Sequence, residues 1–480
     1  MSPWTNDVLW TAADARKATG GKESRPFAAT GVSIDSRTVS QNDLFVALVG
    51  PRVDGHDYVA AALSKGAAAA VVARVPTGVA PDAPLLSVAD TQAGLEGLGR
   101  FARARTQARI VAVTGSVGKT GTKESLRLVL AAQGATHASE GSLNNQWGVP
   151  LSLARMPAGA AYGVFEIGMN HPGEITPLVR MVRPHVAVVT AVEPAHIEFF
   201  PSIEAIADAK AEIFLGVERG GAAVLPADNP LCERLVAAAK AAGIRNVLGF
   251  GAAAGAFARL KSCDLDSDGT RVNADIGGRI VSYRLNVPGR HWVSNSLAVL
   301  AAASALGADV DAAAASLARV EAPKGRGRRH AVAFVGGAFT VVDESYNASP
   351  ASMAAAIAAL GQARPKSAGR RVAVLGDMLE LGEEGPMRHA ALADLLEFAG
   401  VDLVFACGKA MTHLWDALPR ARRGGYATDS ERLAAIVAVA VKDGDIVMVK
   451  GSAGSRMGRV VEALLAIGVD ARISRAVNGD

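Results

Sequence analysis

The chain has 480 residues, 50% hydrophobic and 20% charged, which allows a large core and about three domains at roughly 150 residues each. Lys and Arg total 50 against 46 Asp and Glu, and a net charge of +4 spread over this length gives no expectation of a nucleic-acid partner. Cys232, Cys263 and Cys407 are too scattered for a disulfide framework or a metal knuckle, and the start MSPWTNDVLW lacks the basic-then-apolar order of a signal peptide. A reducing, cytoplasmic setting is the expectation, and the apolar run 297–306 is too short to cross a bilayer, so no membrane insertion is expected.

Residues 1–107 hold short strands and one clear helix, ending in a basic helix over 99–105. Ser36 and Arg37, in IDSRTV, and the segment Asp54-Gly55-His56 read by themselves as turns. A second block, 108–322, opens with IVAVTGSVGKT: a buried-strand run, then a Gly-x-x-Gly-Lys-Thr turn, then a helix expected over 122–132. Gly115 and Gly118 let the backbone turn its N–H groups inward, Lys119 adds a point charge, Thr120 adds a hydroxyl within reach of a metal, and the following helix start favours anions. These parts make a nucleotide-phosphate cradle, although Gly115 stands closer to Gly118 than in the usual P-loop.

The same block alternates strand and helix, with strands expected over 163–166, 186–190 and 222–225, which argues for a parallel sheet covered by helices. A β-rich insert is expected over 259–285, then helices over 293–306 and 311–320. Glu166 and His196 follow strands, at the sheet end where ligands collect in open α/β folds, and could complete a magnesium site begun by Thr120. Each also has a plainer reading, Glu166 as a helix cap and His196 as a loop residue. In PSIEAIADAKAEIF, Lys210 falls on the apolar stripe of Ile203, Ile206, Ala207, Ile213 and Phe214. Such a lysine either snorkels to water or is held neutral, and a neutral amine can take up carbon dioxide as a carbamate. After a linker at 323–327, a third block, 323–480, repeats the α/β rhythm with strands expected over 339–343, 371–375, 403–406 and 446–449.

Taken together, DSRTVSQNDLF, VTGSVGKTGTKE, SLNNQWGVPLSL, FEIGMNHPGEI, AHIEFF, VVDESYNASPASM, VLGDMLELGEEG and VKGSAGSRMGRVV resemble the Mur ligases of bacterial cell-wall synthesis along nearly the whole chain. The resemblance implies an α/β protein of three domains: a uridine-nucleotide domain (1–107), a central P-loop ATPase domain with a parallel sheet (108–322), and a Rossmann-like domain that brings the amine and closes over the nucleotide (323–480). It implies a monomeric, ATP-dependent amide ligase joining D-alanyl-D-alanine to UDP-N-acetylmuramoyl-tripeptide in peptidoglycan precursor synthesis.

By the same resemblance, Gly115, Ser116, Gly118, Lys119, Thr120 and Gly121 hold the ATP phosphates. Thr120 and Glu166 bind one Mg2+, and Glu166, His196 and a carbamylated Lys210 bear on a second. Asn145 lies near the acyl phosphate, and His291 and Asn295 near the adenine. Tyr346 and Asn347 close over the nucleoside, Asp343 lies near ribose or phosphate, and Arg326 reaches the γ-phosphate, with Arg328 and Arg329 as rivals. Ser36 and Arg37 contact the uridine diphosphate. Trp292 and Ser349 depart from the family pattern, each standing where asparagine is commoner.

Overall fold

The computed structural model describes residues 8–478 except 195–196, 267–268 and 367. His196 therefore lies outside the described residues. Three sheets succeed one another along the chain, beside a small two-stranded pairing near the N-terminus.

The first has five strands in the order Lys22–Glu23, Leu85–Ser87, Ala69–Val72, Asp43–Val46 and Gly31–Ser33, parallel except at the first. The basic helix expected over 99–105 is the end of a longer one, Thr91–Ala104, which Asp90 caps by accepting from the Ala93 N–H.

The central sheet has nine strands. Arg109–Thr114 sits between Tyr162–Glu166 and Val186–Val189, with parallel pairing on both sides. Its side chains divide by alternation: Val111 and Val113 enter one core, Ile110 and Ala112 the other. A strand buried on both faces reads as an unbroken apolar run for this reason. The β-rich stretch near 259–285 is no separate insert. Ala258–Asp266 pairs in parallel with Asn246–Gly251, a strand not anticipated, and then a meander through Gly269–Ile276 and Arg279–Leu285 extends the same sheet. Helix Arg290–Ala305 packs across these strands through Val293, Leu297 and Leu300.

The third sheet has six strands, Arg328–Phe334, Gly337–Glu344, Ile446–Lys450, Arg371–Gly376, Leu403–Cys407 and Arg423–Ala427. The first two form an antiparallel hairpin and the rest pair in parallel. The first and last were not anticipated, because polar RRH and the glycines of RGGYA weaken the apolar signal. Among the described residues, no helix is long and apolar enough to cross a membrane.

Candidate active site

The turn after Arg109–Thr114 is fixed from the neighbouring strand end. Gly115 and Gly118 have φ of 147° and 84°. A Cβ on Gly115 would collide with Thr190 Oγ1, and one on Gly118 would stand 2.7 Å from Asn295 Oδ1, so both glycines are required by space as well as by conformation. Thr190 donates its hydroxyl to the Val117 carbonyl at 2.5 Å. Ser116 Oγ donates to the Glu193 carbonyl at 2.8 Å and accepts from its N–H at 2.9 Å. The helix begins at Lys119, three residues earlier than expected, because left-handed Gly118 already completes the reversal. Its first turn therefore belongs to the cradle. Gly121 faces Trp292, whose ring would lie 3.2 Å from any Cβ there.

At the cradle's inner end, Thr120 donates its hydroxyl to Glu166 Oε2 at 2.8 Å. Asn144 donates its amide to Glu166 Oε1, also at 2.8 Å. Glu166 is fully buried and Thr120 nearly so. Lys119 Nζ donates to the Gly115 carbonyl at 2.6 Å. Burial lowers the Lys119 pKa, while Glu166 works in the opposite direction.

Lys210 lies in the last turn of the helix Ile203–Ala211 and is buried, as are Ile206, Ala207, Ile213 and Phe214. Its side chain is 2% exposed, and no hydrogen bond or ion pair to it occurs among the described residues. Burial, and then the charge of Lys119, hold its pKa well below the usual lysine value.

A cleft of about 430 Å³ opens between the central and third sheets. Ser116, Gly118, Gly121, His291, Trp292 and Asn295 line one wall, and Arg326, Glu344, Tyr346, Asn347 and Lys450 the other. The Arg326 guanidinium stacks 4.0 Å from the centre of the Tyr346 ring, whereas Arg328 and Arg329 are exposed on the hairpin strand behind it. Tyr346 also reaches across the cleft, donating its hydroxyl to Ser142 Oγ at 2.5 Å. Glu344 and Lys450 are paired by register at the carboxyl ends of adjacent parallel strands, with Lys450 Nζ 3.4 Å from Glu344 and 3.0 Å from the Asn347 carbonyl.

Other expected residues lie elsewhere. Asp343 does not line this cleft. It is buried, and its carboxylate accepts from the Gly325 N–H at 2.9 Å, the Ser345 N–H at 3.1 Å and the Ser345 hydroxyl at 2.6 Å, which holds the linker turn. Asn145 is exposed and spends its carbonyl oxygen on the N–H groups of Gly148 and Trp147, at the start of helix Gly148–Ala154. Ser36 and Arg37 sit on the first unit, after Gly31–Ser33. Arg37 pairs with Asp35 at 2.7 Å and holds that carboxyl at about 2, and the Ser36 carbonyl accepts from Lys65 Nζ at 2.8 Å. Ser349 forms a capping box with Ser352 at the helix Pro350–Gln362, a role that serine fills as well as asparagine.

Three family models match the chain: "Mur ligase family, catalytic domain" over residues 28–97, "Mur ligase middle domain" over 113–303, and "Mur ligase, glutamate ligase domain" over 325–453. The UDP-N-acetylmuramoyl-tripeptide–D-alanyl-D-alanine ligase of Rickettsia prowazekii is 31% identical over 455 residues, 95% of this chain and 99% of that one. The chain belongs to the Mur ligase family. Among solved structures, this Mur ligase resembles MurF from Acinetobacter baumannii, at TM-score 0.81 and 28% identity over 95% of this chain and 99% of the other. It also resembles MurF from Thermotoga maritima in complex with ADP, at TM-score 0.75 and 29% identity over 92% and 98% of the two chains.

Four residues of the site were not singled out from the sequence of this Mur ligase: Asn144, Thr190, Glu344 and Lys450. Thr190, Glu344 and Lys450 stand at or just beyond strand carboxyl ends, the signal that pointed to Glu166. Asn144 carries no such signal, since its loop has no period to read.

Proposed function

We propose that this Mur ligase joins D-alanyl-D-alanine to UDP-N-acetylmuramoyl-tripeptide with cleavage of ATP to ADP and phosphate, in cytoplasmic peptidoglycan precursor synthesis, acting as a monomer. The observation that carries the reaction class is a phosphate cradle opening into a cleft whose other wall belongs to a second α/β unit. One wall suits a phosphoryl donor, and the other leaves room to bring a second reactant.

A carboxylate is a poor electrophile because its oxide cannot leave. Transfer of the γ-phosphoryl group to the tripeptide's terminal carboxylate gives an acyl phosphate, the dipeptide amine attacks the acyl carbon, and the tetrahedral intermediate expels phosphate. Such transfer needs alignment and charge neutralisation more than covalent help. Lys119 and the N–H groups of Gly115 to Gly121 surround the phosphates, and Arg326, backed by Tyr346, adds charge from the opposite wall. His291, Trp292 and Asn295 form the base wall, which Tyr346 and Asn347 close. The Nδ2 of Asn145 is available as a donor near the acyl phosphate. Ser36 and Arg37 bind the uridine diphosphate on residues 1–107, residues 108–322 bind ATP, and residues 323–480 supply the amine.

The Thr120 and Glu166 oxygens, 2.8 Å apart, are hard donors that fit Mg2+. Mg2+ takes few protein ligands and keeps water and phosphate oxygens in its shell. Mg2+ held there supplies neutralisation of the transferring phosphate's charge. Glu166, His196 and Lys210, the last as its carbamate, serve a second ion.

The test is ADP release measured against a panel of UDP-linked peptides ending in meso-diaminopimelate or lysine, with and without D-alanyl-D-alanine. Stoichiometric ADP and amide that require both substrates support the reading. Binding of nucleotide without any release would instead mark a scaffold.

A further inference from the structure

The Glu166 carboxylate is fully buried, and among the described residues each of its oxygens has one side-chain donor: the Thr120 hydroxyl on Oε2 and the Asn144 amide on Oε1. A carboxylate only accepts, so Asn144 must present its nitrogen, and it does so without adding charge. Asn144 is itself clamped. Its backbone carbonyl accepts from the Gly168 N–H at 2.9 Å, and a Cβ on Gly168 would stand 2.9 Å from Asn144 Cγ, so glycine is needed there for the side chain to reach Glu166. The loop's start is pinned by the buried Lys123, whose Nζ donates to the carbonyls of Ser139 at 2.7 Å and Gly141 at 2.9 Å.

We infer that Asn144 is a positioning residue for the cation site: it occupies Oε1 and fixes the carboxylate plane, so that Oε2 and the Thr120 oxygen are presented together. This rests on the reading of Thr120 and Glu166 as Mg2+ donors. Without the amide, Oε1 is buried with no donor among the described residues, and the carboxylate turns to find one. Residues that orient a metal-binding carboxylate typically change metal affinity by about ten- to a hundredfold when lost.

The test uses the full chain with ADP and follows Mn2+ binding by electron paramagnetic resonance, for wild type, Asn144→Ala and the similarly shaped Asn144→Leu. Both variants should bind Mn2+ at least about tenfold more weakly than wild type. In the amide-forming assay, both should need about tenfold more Mg2+ for half activation and recover most of the turnover at saturating Mg2+, with an unchanged KM for the UDP-peptide. Leucine guards against an alanine variant that fails to fold. Wild-type Mn2+ affinity in a folded variant, or a turnover loss that saturating Mg2+ leaves in place, overturns the inference alone. Absence of Mn2+ binding to wild type with ADP overturns the cation reading of Thr120 and Glu166, and this inference with it.

Discussion

Replacing Lys210 with methionine keeps an unbranched side chain as far as the ε carbon and removes the nitrogen, so it separates a structural lysine from a reactive one. The folded-state pKa of Lys210 lies well below the usual value, chiefly through burial and then through Lys119, and the side chain is 2% exposed. Between that folded value and the unfolded one, the unfolded chain holds the extra proton. Stability therefore rises with pH in that window, by about 1.4 kcal/mol per pH unit for a single group, and falls as pH drops toward the folded value. In carbon-dioxide-free buffer, urea unfolding of wild type and Lys210→Met between pH 7 and 10 should show the variant more stable at the acid end of the window and the difference narrowing at that slope as pH rises. Added bicarbonate should stabilise wild type alone, since only the neutral amine reacts and the carbamate forms only in the folded state. Amide synthesis should fall by at least about a hundredfold in Lys210→Met, the scale of losing one electrostatic contact to the transition state. Lys210→Arg should fail too, because guanidinium keeps its charge. Carbon-13 NMR with labelled bicarbonate should show a carbamate signal in wild type that the methionine variant lacks. Parallel pH profiles, no carbamate signal and a working Lys210→Arg would together refute the reasoning and leave an ordinary protonated lysine.

Lys119→Ala should lower ADP release by at least about a hundredfold while calorimetry shows UDP-peptide binding nearly unchanged, because the cradle and the first sheet are separate. Tyr346→Ala removes the ring under Arg326 and should raise the KM for ATP about three- to tenfold, the worth of a partly exposed cation–π contact; an unchanged KM would count against that wall of the nucleotide site. Asp343→Ala strands the Gly325 and Ser345 donors and should cost about 2–4 kcal/mol in urea unfolding, with Asp343→Asn milder; a fully stable alanine variant with lost ATP binding would return Asp343 to the nucleotide. Low-angle scattering should show compaction when nucleotide and UDP-peptide are both added, and a constant radius of gyration through turnover would argue against closure.

The sequence by itself determined what depends on local period and on residue type. The apolar run 110–113 announced a buried strand, and its position before two glycines, a lysine and a threonine announced the cradle. The 3.6-residue stripe put Lys210 on the buried face with Ile206, Ile213 and Phe214, and all four are buried. Tertiary structure decided the matters that turn on a single residue. Asp343 and Glu344 are adjacent on one strand and so face opposite ways. Alternation says that only one of them can meet the cleft, but the choice was made by the linker, whose Gly325 and Ser345 donors claim Asp343. Asn144 and Asn145 are equally plausible in SLNNQWG. The tight approach of Gly168 turns Asn144 onto Glu166, whereas the Asn145 side-chain oxygen accepts from the N–H groups of Trp147 and Gly148 at the helix start. A loop has no period to read, so its side-chain directions are set by the groups that pack against it from distant parts of the chain.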